Sequence, residues 1–235
     1  MLSAVKDRWK AMKKTILAIG AHPDDVELGT GCTIYQHCKE GDQVHVLIMS
    51  RGEMGVPDDQ LPENQKMLDE VAKVEIKGKM REAETRRALA ILGVATENME
   101  VLVYPDIGIQ CKNDLIQRIY SEIVKLKPDI VYTHYYEEQH MDHVNTCLAT
   151  LHATRRTKTI MLYESPSTRP SFSPTYFVDI SNCVGKKIEA LKEHKSQAGK
   201  EYMDEEVIKA RARFRGFQAR TGKYAEAFVI YRMVG

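Results

Sequence analysis

The sequence predicts an α/β fold built on a largely parallel sheet flanked by helices, and three observations carry that expectation. Short apolar runs alternate with longer helical stretches through most of the 235 residues. The polar residues able to do chemistry follow those runs and do not interrupt them. No internal repeat, low-complexity segment or clear linker divides the chain, so residues 1–235 read as one domain.

The elements follow in order. The N-terminal stretch "MLSAVKDRWKAMKK" lacks the apolar core of a signal peptide, and residues 1–13 read as a short amphipathic surface helix. "TILAIGA" (15–21) is a continuous apolar run, the pattern of a strand covered on both faces. "QVHVLIMS" (43–50), "MEVLVYP" (99–105), "PDIVYTH" (128–134) and "KTIMLYE" (158–164) are its counterparts. Helical patterns occupy 25–40, 66–92, 112–127 and 141–155, so the strands connect by right-handed crossovers. The last third differs: "SPTYFVDIS" (173–181), two polar helical runs and a closing strand "AEAFVIYR" (225–232). "RGEMGVPDDQLPENQ" (51–65), rich in Gly, Pro, Asp and Asn, is the one long loop.

Composition narrows the functions. A formal net charge of +1 gives no bulk electrostatic case for nucleic acid or an anionic membrane. The basic run "KARARFR" (209–215) is read as a solvated helix face. No apolar segment approaches the ~20 residues of a membrane span. Five cysteines without a CxxC pair argue against a disulfide framework and for a reducing, cytoplasmic compartment.

In open parallel sheets ligands bind beyond the carboxyl ends of the strands, which puts five segments on one rim. His22, Pro23, Asp24 and Asp25 follow the first strand. Two adjacent carboxylates at a buried strand end need a cation beside them. His22 and Asp25, three apart, share one side of the first helical turn and suit Zn²⁺, which takes three protein ligands and a water in catalytic sites. Asp24 is then free to act as general base toward that water. The competing reading is that Asp24 or Asp25 only caps the helix. A second cluster after the fourth strand, "HYYEEQHMDHVNT" (134–146), tips the balance toward a metal site. It offers His143 as third ligand, His140 to face a substrate carbonyl and Asp142 to orient an imidazole. His37, His45 and His152 are read as structural, and His134 is left open. A nucleotide-binding module is a poorer fit, because Gly29 and Gly31 lie inside the first helix and no GxGxxG follows the first strand.

"AHPDDVELG" together with "HMDHVNT" resembles the LmbE-like superfamily, which includes the N-acetylglucosaminyl-phosphatidylinositol de-N-acetylases. Further matches run through "SRGEMG" (50–55), "REAETRRALAILG" (81–93), "KIEALKEHKSQ" (187–197) and "RGFQARTGKYAEAF" (215–228). The resemblance implies a Rossmann-like fold and a zinc-dependent deacetylase of N-acetylglucosamine-type substrates. It implies Zn²⁺ on His22, Asp25 and His143, with Asp24 as base. By the same resemblance protonated His140 stabilises the oxyanion or donates a proton, and Asp142 supports a histidine. Arg51, Arg81 and His194 become candidate substrate contacts, and a homo-oligomer is expected. Met141 stands where many members have proline, and Glu138 where several have Asp or Tyr, which leaves the general acid open. The stretch 61–79 looks longer than usual, so specificity is expected to depart there. A relative cleaving a larger acyl group or a thiol glycoside fits the same residues.

Overall fold

A computed structural model describes residues 13–220 and 222–234; the helix expected over 1–13 falls outside them except for its last residue. Five parallel strands form the centre of the sheet: β1 (Thr15–Gly20), β2 (Gln43–Ile48), β3 (Met99–Val101), β4 (Ile130–His134) and β5 (Thr159–Tyr163). β6 (Tyr176–Asp179) pairs antiparallel with β7 (Ala225–Met233), which pairs antiparallel with β5. The spatial order is β3-β2-β1-β4-β5-β7-β6. The longer helices are α1 (Asp25–Glu40), α2 (Glu70–Ile91), α3 (Asn113–Leu126), α4 (Met141–Ala153), α5 (Val184–Leu191) and α6 (Glu205–Ala219).

β1 is apolar throughout because both of its faces are covered. Ile16 and Ala18 pack with Ile34, Leu89 and Leu92 on one side. Leu17 and Ile19 pack with Leu115, Ile119 and Ala149 on the other. Each of these β1 side chains is essentially fully buried, so truncating one such as Leu17 to Ala costs about 2–5 kcal/mol.

β3 is shorter than the run 99–105 suggests. The N–H groups of Leu102 and Tyr104 still bond the carbonyls of Ile48 and Met49, at 2.8 and 3.1 Å. Pro105 then has no N–H to offer, the ladder stops, and the chain turns over the sheet's carboxyl edge.

Strand order reverses between β1 and β4. From β1 the chain crosses through α1 to β2, and from β4 through α4 to β5 on the opposite side, which opens a crevice at the carboxyl ends of β1 and β4. Gly29 lets α1 lie close against β5: a Cβ there would run into the Tyr163 ring, whose hydroxyl donates to the Ile19 carbonyl at 2.9 Å. The helix bends at Thr30, φ −145°, and its first turn stands over the crevice.

Candidate active site

The turn leaving β1 places its two carboxylates in different surroundings. Asp24 holds the N-cap position of α1 at φ 100° and makes no capping hydrogen bond, so the helix-cap reading fails for it. A non-glycine residue there is strained, and strain of this kind concentrates at functional sites. Its Oδ2 instead accepts from Arg81 Nη2 at 3.1 Å. Arg81 reaches across from α2 and also donates to the carbonyls of Pro23 (2.5 Å) and Gly52 (2.7 Å). Gly52, at φ 65°, is required: a Cβ would collide with that guanidinium. Burial pushes the Asp24 carboxyl up to about 6, against the lowering effect of Arg81.

Asp25 turns the other way. Its Oδ2 accepts the His22 N–H at 2.7 Å and lies 3.2 Å from His134 Nε2, while Oδ1 lies 3.3 Å from His143 Nε2. Burial alone would raise its pKa, but His143 and His134 hold it well below the usual carboxylate range. Burial disfavours the His143 cation, yet Asp25 and Glu138 outweigh that and lift it to about 9. His134, fully buried and stacked on His143 with ring centroids 4.1 Å apart, is pushed down to about 4 by burial.

His22 is held by two further carboxylates. Its Nε2 lies 3.1 Å from Asp142 Oδ2 and 3.2 Å from Asp106 Oδ1. Burial lowers its pKa, and the hydrogen bonds of Asp106, Asp142 and Asp25 more than reverse that. Asp142 also accepts the N–H groups of Ile107 (2.8 Å) and Ile109 (3.1 Å), tying the loop after β3 to the first turn of α4. Within that loop Ile107 sits at φ 60°, an outlier for a β-branched residue, at one end of the tied segment.

These side chains converge on the floor of a cavity of about 560 Å³, within the range of small-molecule sites. His22, Asp24, Asp25, Asp106, His140 and His143 all line it. The ring donors of His22, His140 and His143 lie within 4.8 Å of one another, as do donors of Asp25, His134 and His143. Buried carboxylates at this density need cations beside them. Imidazole and carboxylate donors at this density fit a zinc ion, which could be held by His22, Asp25 and His143.

Several expectations are corrected. Asp142 supports neither neighbouring histidine through its carboxylate but His22, 120 residues earlier. His140 caps α4 with Nδ1 accepting the Asp142 N–H at 3.3 Å, which leaves a neutral ring's proton on Nε2. Burial and the charges of His22 and His143 lower its pKa, which disfavours the expected imidazolium. Arg51 stays out of the cavity because its guanidinium pairs with Glu75 (2.9 Å) and Glu82 (3.3 Å) on α2. His194 is also outside: its Nε2 lies 3.0 Å from the buried Glu27, behind the first turn of α1. Arg81 does line the cavity, but its buried guanidinium is spent on Asp24 and two carbonyls. Glu138 is no free acid, since Ser165, Ser167 and Thr168 donate to it and it faces His143 Nδ1 at 3.5 Å. None of the residues 56–79 forms cavity wall; Met54 and Gly55, just before them, do.

Sequence reasoning places the segment 104–108 on the rim but does not single out Asp106. It also missed Arg211, which reaches the cavity from the basic run read as solvated. Asp142→Asn tests the clamp. An amide cannot accept from His22 and two backbone N–H groups as a carboxylate does, and losing such outer partners typically costs about 10–100-fold in activity or metal affinity. We expect that loss in kcat/KM; unchanged activity would mean that His22 is oriented without it.

The family described as GlcNAc-PI de-N-acetylase matches residues 17–154. An uncharacterized deacetylase of Escherichia coli K12, YaiS, is 32% identical over 192 residues, covering 78% of this chain and 92% of YaiS. The diacetylchitobiose deacetylase of Thermococcus kodakarensis is 27% identical over 202 residues, covering 78% of this chain and 70% of the enzyme. Among solved structures, an N,N'-diacetylchitobiose deacetylase from Pyrococcus horikoshii in complex with an inhibitor superposes with a TM-score of 0.77. That match covers 92% of this chain and 83% of the other at 23% identity, and it bears out the fold.

Proposed function

The chain belongs to the GlcNAc-PI de-N-acetylase family, and we propose that it is a zinc-dependent N-deacetylase that hydrolyses the acetamide of an N-acetylglucosamine-type sugar to acetate and a free amine. The observation that carries this reading is Asp24: a buried carboxylate free of capping duty, facing the cavity beside His22, Asp25 and His143.

His22, Asp25 and His143 would hold the metal. A zinc ion there supplies Lewis acidity, making water a better acid and polarising an amide carbonyl. Asp24 accepts the proton of the attacking water, with Arg81 fixing its carboxylate. His140 donates from Nε2 to the carbonyl oxygen as negative charge develops, a contribution worth roughly 3–4 kcal/mol for a well-placed donor. Asp24 then returns the proton to the departing amine, which balances the hydrolysis. Asp142 and Glu138 orient His22 and His143 through the contacts described above.

Acetate release from a panel of N-acetylated amino sugars and glycosides by the zinc-loaded protein tests this. We expect equimolar acetate and free amine from N-acetylglucosamine derivatives; no amide cleavage across the panel would overturn the reading.

Arg81 gives the reading a pH signature. Its guanidinium lowers the Asp24 pKa, and a base works only when deprotonated. Arg81→Met therefore raises that pKa and moves the acidic limb of kcat/KM to higher pH. A limb that stays put, or moves down, would separate Arg81 from the base.

A further inference from the structure

Three of the four basic side chains in the run 209–215 are satisfied on the protein. Arg215 grips Glu164 with Nε at 2.9 Å and Nη2 at 2.6 Å. Lys209 pairs with Glu205 at 2.5 Å, and Arg213 donates to the Lys223 carbonyl at 3.1 Å. Arg211, on the face of α6 that also carries Val207 one turn earlier, makes no hydrogen bond or ion pair among the described residues. It is partly withdrawn from water and lines the cavity with Leu28 and Tyr202. The carboxylates nearest in charge are already committed, Glu164 to Arg215 and Glu138 to the Ser165, Ser167 and Thr168 hydroxyls. Burial and Arg215 accordingly lower the Arg211 pKa, with Glu164 and Glu138 offsetting in part.

A partly desolvated guanidinium without a partner is costly unless something arrives to meet it. Its planar fork matches the two oxygens of a carboxylate or a phosphate. Leu28, which lines the same cavity, is one turn along α1 from the base, its N–H bonding the Asp24 carbonyl at 2.8 Å. The cavity's 560 Å³ leaves room for a sugar together with a substituent. We propose that Arg211 is a specificity-determining residue that receives an anionic group, carboxylate or phosphate, carried by the amino sugar whose acetamide lies over Asp24. The proposal rests on the deacetylase reading for the placement of the sugar.

The test uses three N-acetylglucosamine derivatives that differ only at the anomeric substituent: methyl glycoside, carboxymethyl glycoside and 1-phosphate. Acetate release by the zinc-loaded enzyme gives kcat/KM for each. Calorimetric titration with the three deacetylated products gives binding without turnover. We expect at least one anionic member to be preferred about tenfold over the methyl glycoside in both readouts, the worth of one charge-assisted contact; which member is preferred identifies the anion. Arg211→Gln brings the ratio to within about twofold of unity, on the same contact energy. Arg211→Lys keeps the charge without the fork and retains only part of the preference, and it carries the test should the Gln variant not fold. A wild-type ratio near unity, a ratio that survives in Arg211→Gln, or a full preference in Arg211→Lys overturns the proposal. Anion-selective product binding that depends on Arg211, without acetate release from any substrate, upholds the anion contact at Arg211 and removes the deacetylase reading.

Discussion

Asp24→Asn is expected to keep its metal and lose roughly 10²–10⁴-fold in kcat, the usual contribution of a positioned general base. The amide has nearly the same volume and still accepts from Arg81 through its oxygen, so the turn that holds Asp24 at φ 100° survives. What it loses is the capacity to take a proton. Because Asp24 makes no capping bond in α1, little helix stability goes with the substitution. Thermal unfolding and metal analysis run beside the kinetics separate the two roles. A variant with near wild-type turnover on N-acetylglucosamine derivatives would reduce Asp24 to a strained turn residue.

His143→Ala should act on the metal first. It removes one of three ligands, so metal binding at stoichiometric zinc is expected to fall at least tenfold and activity with it. The ring also leaves Asp25 Oδ1 without its imidazole partner at the floor of the cavity, whereas Glu138 and Ser167 keep their hydrogen bond to one another. Breaking a buried ion pair in this way destabilises the metal-free protein by about 3–5 kcal/mol. His143→Gln, which can still donate to Asp25, softens that loss and isolates the metal effect. Equal zinc content in wild type and both variants would remove His143 from the ligand set.

Much of this arrangement is legible in the order of the residues alone. β1 and the turn after it announce themselves because an apolar run covered on both faces has to end where the sheet ends, and His22, Asp24 and Asp25 stand at that end. The rim rule for parallel sheets then brings 134–146 to the same crevice. What the residues conceal is which way a side chain turns once packed. Arg51 and His194 sit in the right segments but are drawn off by Glu75, Glu82 and Glu27, contacts made across the fold. Spacing along α4 pairs Asp142 with its neighbours His140 and His143, yet it says nothing of a histidine that arrives from β1. Arg211 hides in a run of alternating basic residues, and only the pairing of Arg213, Arg215 and Lys209 sets it apart. The length of 61–79 points to specificity, but its residues lie off the cavity wall.

A zinc titration tests whether a metal held by His22, Asp25 and His143 and a proton accepted by Asp24 together cleave an acetamide. Zinc is added stepwise to chelator-stripped protein in the presence of an N-acetylglucosamine glycoside, and bound metal and released acetate are followed together. Acetate release is expected to rise in proportion to bound metal and to level off at about one equivalent per chain, the stoichiometry of a single catalytic site. Acetate release that is indifferent to the metal, or metal that binds stoichiometrically with no acetate released, would contradict it.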